Sequence, residues 1–82
     1  MNTSQQKLVK IFLNKKDKNE ILHILLVLLT DNEFKEMVNR LEILRLLDKG
    51  VPQREIAQQL GVGVATVTRG TKVLGEYQKY IK

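Results

Sequence analysis

The chain has 82 residues, a length that accommodates one domain. It contains no cysteine and one histidine, which excludes a disulfide framework, thiolate metal sites and a histidine-rich metal cluster. Lysine and arginine outnumber aspartate and glutamate by 14 to 9, so the net charge is +5 and the pI is near 9.7. This balance favours a polyanionic partner.

The charge is distributed unevenly along the chain. Residues 1–18 carry five lysines and one aspartate, residues 19–52 carry six acidic and four basic residues, and residues 53–82 carry five basic and two acidic residues. A solvated surface explains this distribution as well as a binding surface does. Charge alone therefore leaves both interpretations open.

No segment resembles a targeting signal or a membrane span. The most apolar run, Ile21 to Leu29, is interrupted by His23 and is about half as long as a bilayer requires. A buried helix explains this run better. Together with the absence of cysteine, the absence of a signal-like segment predicts a cytoplasmic protein.

The first half of the chain has few helix breakers and predicts long helices. Leu8, Ile11 and Phe12 share one face of a first helix, which fades in the polar stretch from residue 14 to residue 19. A second helix, Ile21–Leu29, is apolar nearly all round, a pattern that is typical of a helix buried on several sides. In so short a chain, this predicts burial within a dimer.

A third helix begins after Thr30. The hydroxyl of Thr30 and the carboxylate of Glu33, three residues later, have the spacing of a capping box. The helix is predicted to end before Gly50. Its apolar positions recur at helical spacing: Met37, Leu41, Leu44 and Leu47.

Glycine and proline predict shorter helices in the second half. A fourth helix is expected from Pro52 to about Leu60, with Gly61 ending it. A fifth is expected from Val64 to about Leu74, with Gly75 ending it. The tail, 76–82, is expected to form a short last helix or a frayed end.

The segment from Gln53 to Gly70 has the spacing of a helix-turn-helix. Ala57 is small where the two helices would cross, and Gly61 lies four residues later, where the turn favours a positive φ. The inner faces are apolar at Ile56, Leu60, Val62 and Val67. An ordinary helical hairpin is the alternative.

In a helix-turn-helix the second helix enters the major groove of DNA and leads with its N-terminal residues. Small apolar groups there suit thymine methyls, and threonine hydroxyls suit bases, phosphates or bridging water. Arg54 and Lys72 are placed for phosphates or the groove edge. For each of these residues, a plain surface role is the alternative. The predicted reading residues are Gly63, Val64, Ala65, Thr66 and Thr68.

Several motifs resemble the tryptophan repressor family. They are Gln53-Arg-Glu-Ile, Leu60-Gly-Val-Gly-Val-Ala-Thr-Val-Thr-Arg-Gly, Leu29-Thr-Asp-Asn-Glu and Asn39-Arg-Leu-Glu-Ile. The resemblance covers roughly residues 21 to 74 and implies an all-α helical bundle that forms an intertwined homodimer and binds L-tryptophan and then operator DNA. It implies one domain, 1–82, with dimerisation helices in 1–50 and the helix-turn-helix in 53–74.

The resemblance also implies a corepressor pocket. Arg40 and Arg69 match the two arginines that flank the indole ring, and Arg69 would also bind the ligand carboxylate. Thr30 matches a threonine that lines the pocket, and Gly70 matches a glycine that leaves room beside the ring. Arginine planes stack well on aromatic faces, which supports this assignment independently. The alternative for Arg40 is a pair with Glu36 or plain solvation.

The chain departs from the family pattern at three places. Val73 aligns with a small hydroxyl residue near the amino group of the ligand and cannot form a hydrogen bond. The connection before Gln53 is one residue shorter, with Val51 and Pro52 filling it. The C-terminal tail is shorter than in typical members, so the last helix that helps to close the dimer is expected to be reduced.

The residues and the resemblance together favour a tryptophan-responsive transcriptional repressor, with tryptophan as corepressor and no other cofactor. The first alternative is a DNA-binding regulator of the same fold that is constitutive or responds to another ligand. The second is an adaptor that binds protein. An enzyme is disfavoured, because His23 lies in an apolar run and Asp31 and Glu33 suit a helix N-terminus, which leaves no convergent catalytic groups.

Overall fold

The computed structural model describes all 82 residues as six α-helices, which confirms the predicted all-α fold. The helices are α1 (Thr3–Leu13), α2 (Lys18–Leu28), α3 (Asp31–Asp48), α4 (Gln53–Leu60), α5 (Val64–Thr71) and α6 (Leu74–Tyr80). The chain divides into two compact units, Met1–Phe34 and Lys35–Lys82. None of the helices is both long enough and apolar enough to cross a membrane.

Side chains cap the first two helices. Asn2 accepts a hydrogen bond from the backbone N–H of Gln5 at 2.8 Å, and the Gln5 side chain accepts one from the backbone N–H of Asn2 at 3.0 Å. Asp17 caps α2 by accepting from the backbone N–H of Asn19 at 2.8 Å. Because the first turn of a helix leaves its N–H groups without intrahelical partners, these contacts set where both helices begin.

The predicted capping box at the start of α3 is present. The backbone N–H of Glu33 donates to the Thr30 hydroxyl at 3.2 Å, and the backbone N–H of Thr30 donates to the Glu33 carboxylate at 2.9 Å. The hydrogen bond that the Glu33 carboxylate accepts from the Thr30 backbone N–H, and after it the interaction with the Thr30 side chain, lower the pKa of Glu33 below its ordinary value.

The predicted burial of α2 does not occur within the single chain. No residue of α1 or α2 is buried, and the Val27 side chain is 83% exposed. The sequence indicated correctly that apolar residues surround α2. One copy of this short chain does not cover these residues. The other exposed apolar residues of these two helices are Leu8, Val9, Ile11, Leu13, Leu22, Leu26 and Leu28.

The core of the second unit joins α3, α4 and α5. Its buried members are Ile43 of α3, Ile56 and Ala57 of α4, and Val67 of α5. Partly buried side chains surround them: Leu46, Leu47, Val51, Leu60 and Val62. Ile56, Ala57 and Val67 lie where the helix-turn-helix spacing predicted inner positions, but Ile43 was not among the apolar positions identified on the third helix.

Glycines end α3 and α4 in the left-handed conformation. Gly61 has φ 67°, and the N–H of Val62 donates to the Ala57 carbonyl at 3.0 Å. Gly50 has φ 83°, and the N–H of Val51 donates to the Leu46 carbonyl at 3.0 Å. Both ends are Schellman-type caps, which favour glycine because a Cβ atom is strained at positive φ.

The fifth helix is shorter than predicted. It ends at Thr71, and Gly75, which was expected to end it, lies inside α6. The N–H groups of Lys72 and Val73 donate to carbonyls three residues earlier, at 3.2 Å each, so the chain tightens into a turn before α6. A glycine inside a short helix costs only about 1 kcal/mol, which burial of Tyr77 on α6 can offset.

Asp48, at the end of α3, holds α6. The Gln78 side chain donates to one carboxylate oxygen of Asp48 at 2.8 Å, and the Lys82 ammonium lies 2.9 Å from the other. The Asp48 side chain is 11% exposed. The hydrogen bond from Gln78 and the contact with Lys82 lower the pKa of Asp48, and Asp48 in turn raises the pKa of Lys82.

Replacement of Ile43 by alanine is expected to lower the free energy of unfolding by about 2–5 kcal/mol, because it leaves a cavity in the core. Val64→Ala, at an exposed position of α5, is the control and should change it by about 0.5 kcal/mol or less. Urea unfolding followed by circular dichroism measures both. Equal effects would contradict the placement of the core at Ile43.

The Asp48 contacts predict a pH-dependent contribution to stability. Because the pKa is lowered on folding, the stabilisation is present above the unfolded pKa of about 4 and is lost as the pH falls through the folded value. Asp48→Asn should therefore lower the midpoint temperature of unfolding at neutral pH. The midpoints of the variant and of the wild-type protein should converge as the pH falls towards about 2. Thermal unfolding across this range measures the difference. A constant difference would contradict the prediction.

Candidate functional site

A cleft of about 750 Å³ lies in the second unit, between α3 and α5, and is open to solvent. This volume is within the range of small-molecule sites. Its lining residues are Glu36, Asn39, Arg40, Ile43, Leu44, Val62, Gly63, Thr66, Arg69, Gly70 and Val73. The cleft thus brings together three of the four residues predicted to form a corepressor pocket: Arg40, Arg69 and Gly70.

Neither arginine of the cleft is held firmly by a partner within the chain. A guanidinium nitrogen of Arg40 lies 3.9 Å from the Glu36 carboxylate, and the two side chains are 76% and 68% exposed. The alternative pairing considered for Arg40 therefore exists, but an exposed pair at this distance stabilises the fold little. Arg69 is exposed and forms no salt bridge.

Gly70 has a packing role besides its predicted one. A Cβ atom at this position would lie 2.9 Å from the Cγ2 atom of Ile43 and 3.2 Å from the Cδ1 atom of Leu47. Real Cβ atoms essentially never approach to 2.9 Å, and Ile43 is fully buried, so it cannot move aside easily. The absence of a side chain therefore allows α5 to pack closely on α3.

Thr30 and Val73 lie in different surroundings. Thr30 caps α3 in the unit Met1–Phe34, and the cleft consists of residues of Lys35–Lys82. Val73 lines the cleft, where its apolar side chain is half-exposed. The structure thus places Val73, but not Thr30, in the lining of the cleft.

The predicted DNA-reading residues, which belong to α5 and its N-cap, lie on two different faces. Gly63 and Thr66 line the cleft. Three others, Val64, Ala65 and Thr68, are exposed outside it, together with Lys72 just after the helix. Arg54, in the first turn of α4, is also exposed. No side chain caps the N-terminus of α5, where Gly63 is the cap residue.

Thr68 connects the two helices of the hairpin. Its hydroxyl lies 2.7 Å from the Gln53 side-chain oxygen and 3.0 Å from the Val64 carbonyl, so its proton is shared within the protein. The hydroxyl can still accept a hydrogen bond from a ligand. The contact also leaves the Gln53 amide N–H groups without a protein partner, on the exposed side of the hairpin.

Three polar residues of this region were not predicted as site residues: Glu36, Asn39 and Gln53. Glu36 was considered only as a partner of Arg40, four residues later. The same spacing places Asn39 on the face of Ile43, so extending the faces of Arg40 and Ile43 back along α3 would have found both. Gln53 contacts Thr68 across 15 residues, for which the sequence carries no local signal. No group of three or more histidine, cysteine, aspartate or glutamate residues is placed to hold a metal ion.

Comparison with known proteins gives the family. The family model described as "Trp repressor protein" matches residues 3–81. A Trp operon repressor homolog of Vibrio vulnificus (strain YJ016) is 38% identical over 73 residues, which are 88% of this chain and 72% of the relative. One of Pasteurella multocida (strain Pm70) is 50% identical over 52 residues, 62% of this chain and 51% of the relative. No solved structure matches significantly.

The family match covers nearly the whole chain, beyond the motifs that carried the predicted resemblance. The resemblance is therefore confirmed. The family is regulatory, which also confirms the expectation that the protein is not an enzyme. The chain belongs to the Trp repressor family of transcriptional repressors.

Proposed function

We propose that the protein is a homodimeric repressor that binds operator DNA through α4 and α5 and uses L-tryptophan as its corepressor. The observation that carries this proposal is the division of α5 into two faces. One face lines the cleft with Arg69 and Gly70, and the other exposes Val64, Ala65 and Thr68. Ligand binding and DNA binding would then act on the same eight-residue helix.

The cleft face follows helical spacing. Residues 63, 66, 70 and 73 recur every three or four positions, and Arg69 extends the same stripe. The buried Val67 points into the core. A ligand in the cleft would therefore contact α5 along its length and α3 opposite, at Arg40.

The exposed face suits the major groove. Val64 and Ala65 are small enough for close approach to thymine methyls, and Thr68 can accept a hydrogen bond from a base or water. Arg54 and Lys72 flank this face and would contact phosphates. Gly63 and Thr66 remain predicted contacts at the edge where the cleft meets the leading turn.

The chemistry of the cleft supports tryptophan. Arg40 and Arg69 carry planar guanidinium groups that can stack on an indole ring, and Arg69 can also bind a carboxylate. Neither arginine is held by a strong protein partner. The ligand would fill space between α3 and α5 and favour orientations of α5 that fit the groove, by a shift of population. Thr30 remains a pocket residue on the resemblance alone.

The homodimer is supported by the surface of the first unit. Met1–Phe34 buries no residue, although α1 and α2 carry many apolar side chains. Exposed apolar surface of this extent marks an interaction site. A second copy of the chain offers the same apolar surface, and a two-fold dimer would suit an operator with two symmetric half-sites. Residues 1–50 are accordingly proposed for dimerisation and 53–74 for DNA binding.

One alternative keeps the fold and removes the tryptophan response. Val73 gives the cleft an apolar wall where the family pattern has a hydroxyl, which favours either a different ligand or none. Such a regulator would bind operator DNA with an affinity that falls with salt and is unchanged by tryptophan.

Two alanine variants distinguish these possibilities. Selection from random duplex DNA, with and without tryptophan, provides the operator, and fluorescence anisotropy provides its affinity. Arg40→Ala should weaken only the gain caused by tryptophan, because Arg40 lies on α3, outside α4 and α5. Arg69→Ala should also weaken operator binding without ligand, since it removes a cation from α5. Loss of one charge-assisted contact corresponds to about tenfold or more in affinity.

Two outcomes would contradict the proposal at different levels. If tryptophan at millimolar concentration neither binds by calorimetry nor changes operator affinity, the corepressor role fails and DNA binding remains. If no duplex is enriched and affinity does not depend on salt, DNA binding itself fails, as an adaptor that binds protein would predict.

The dimer predicts that a charge on α2 separates the copies. Val27→Asp places a carboxylate on the apolar surface and should shift the protein towards monomer in sedimentation equilibrium, because the charge would have to be desolvated in the interface. Lys16→Asp, in the loop between α1 and α2, is the control and should leave the mass unchanged. A wild-type chain that sediments as a monomer would refute the dimer.

A further inference from the structure

The lysines of the first unit take part in no ion pair. All three ion pairs of the chain lie in the second unit, Lys35–Lys82. The lysines of the first unit are all exposed, and together they form what we call the basic segment: Lys7, Lys10, Lys15, Lys16 and Lys18. We propose that the basic segment is a second DNA-binding surface, which contacts backbone phosphates whatever the base sequence. This inference rests on the proposed DNA-binding function and adds a surface outside the helix-turn-helix.

The lysines and the apolar residues of α1 lie on opposite sides of the helix. Lys7 and Lys10 are three positions apart and therefore share one side. Leu8 and Phe12, four positions apart, share the other side. The apolar side is the one for which a second copy of the chain is proposed. The side with the lysines is then left in solvent, where it is open to a charged partner.

Little negative charge offsets the basic segment. Asp17 is the one acidic residue among residues 1–18, and its carboxylate caps α2 by accepting from the backbone N–H of Asn19 at 2.8 Å. Glu20 lies in the first turn of α2, where the helix dipole stabilises its charge. Five lysines and one aspartate give residues 1–18 a net side-chain charge of +4. A segment with this charge attracts a polyanion.

The arrangement favours DNA over a lipid surface. A helix that lies on a membrane buries its apolar side in the lipid, but on α1 that side is proposed for the dimer. Lysine ammonium groups are compact charges on flexible stems, which suit phosphates and carry no means of reading bases by a fixed geometry. The basic segment would therefore add affinity for DNA, and the preference for one sequence would come from α4 and α5 alone.

The salt dependence of DNA binding tests this role. Fluorescence anisotropy measures the affinity of the chain for its selected operator and for a duplex of scrambled sequence at several salt concentrations. Lys7→Gln combined with Lys10→Gln should weaken binding to both duplexes by the same factor, about tenfold or more at about 0.1 M salt. The slope of log affinity against log salt should become less steep by about 0.9 for each phosphate contact that is lost.

A second pair of substitutions lies outside the helix. Lys15→Gln combined with Lys16→Gln changes the connection between α1 and α2 and should have the same effect on both duplexes. The matched control is Lys35→Gln combined with Lys49→Gln, because these lysines of the second unit are also exposed and unpaired and their loss changes the net charge equally. The control should leave the slope nearly unchanged. Circular dichroism and sedimentation check that all variants keep the helices and the mass of the wild type.

Three results would overturn the inference while DNA binding stands. In the first, neither pair in the basic segment changes the slope more than the control does, so that only net charge matters. In the second, these pairs weaken binding to the operator alone, which would show a contact that depends on sequence. In the third, they abolish binding to vesicles of phosphatidylglycerol and phosphatidylcholine but leave DNA affinity unchanged, and the partner is then a membrane. If the wild type binds neither duplex, DNA binding itself fails and the inference falls with it.

Discussion

The α5 helix can lie against α3 only because residue 70 has no side chain. A Cβ atom there would meet the buried Ile43 at 2.9 Å, and Leu47 closes the space beside it. Ile43 in turn packs with Ile56, Ala57 and Val67, so the same contact joins α3 to both helices of the hairpin. Since a close-packed core transmits displacement, a change in the position of α5 relative to α3 involves the whole second unit.

This packing gives α5 three surfaces in different environments. Val67 enters the core, Arg69 and Gly70 line the cleft, and Val64 and Thr68 are exposed. A helix of eight residues completes only two turns, so these surfaces adjoin one another. A ligand in the cleft would thus directly contact the helix that is proposed to read DNA. The tie between Asp48 and α6 holds the chain that follows α5 to the end of α3.

Features with a local cause were predictable from the sequence. Gly61 sits at positive φ, Thr30 and Glu33 form their capping box, and each depends on residues at most a few positions apart. Features with a distant cause were not. No residue near Gln53 signals its contact with Thr68, and the early end of α5 falls in a turn at Lys72 and Val73 rather than at a glycine. The apolar residues of α2 were recognised, but a sequence does not show which surface covers them.

The central claim is that one helix couples the ligand cleft to the DNA-reading face. It is tested most directly by reciprocal coupling, measured as operator affinity with and without tryptophan and as tryptophan affinity with and without operator. Because a homodimer would carry two clefts, linkage requires the gain in operator affinity to equal the product of the gains in tryptophan affinity at the two clefts. We predict that each ligand strengthens the binding of the other by about fivefold or more, within the usual range of allosteric coupling. Ratios of one would show that the cleft and the exposed face of α5 act independently and would contradict the proposed coupling.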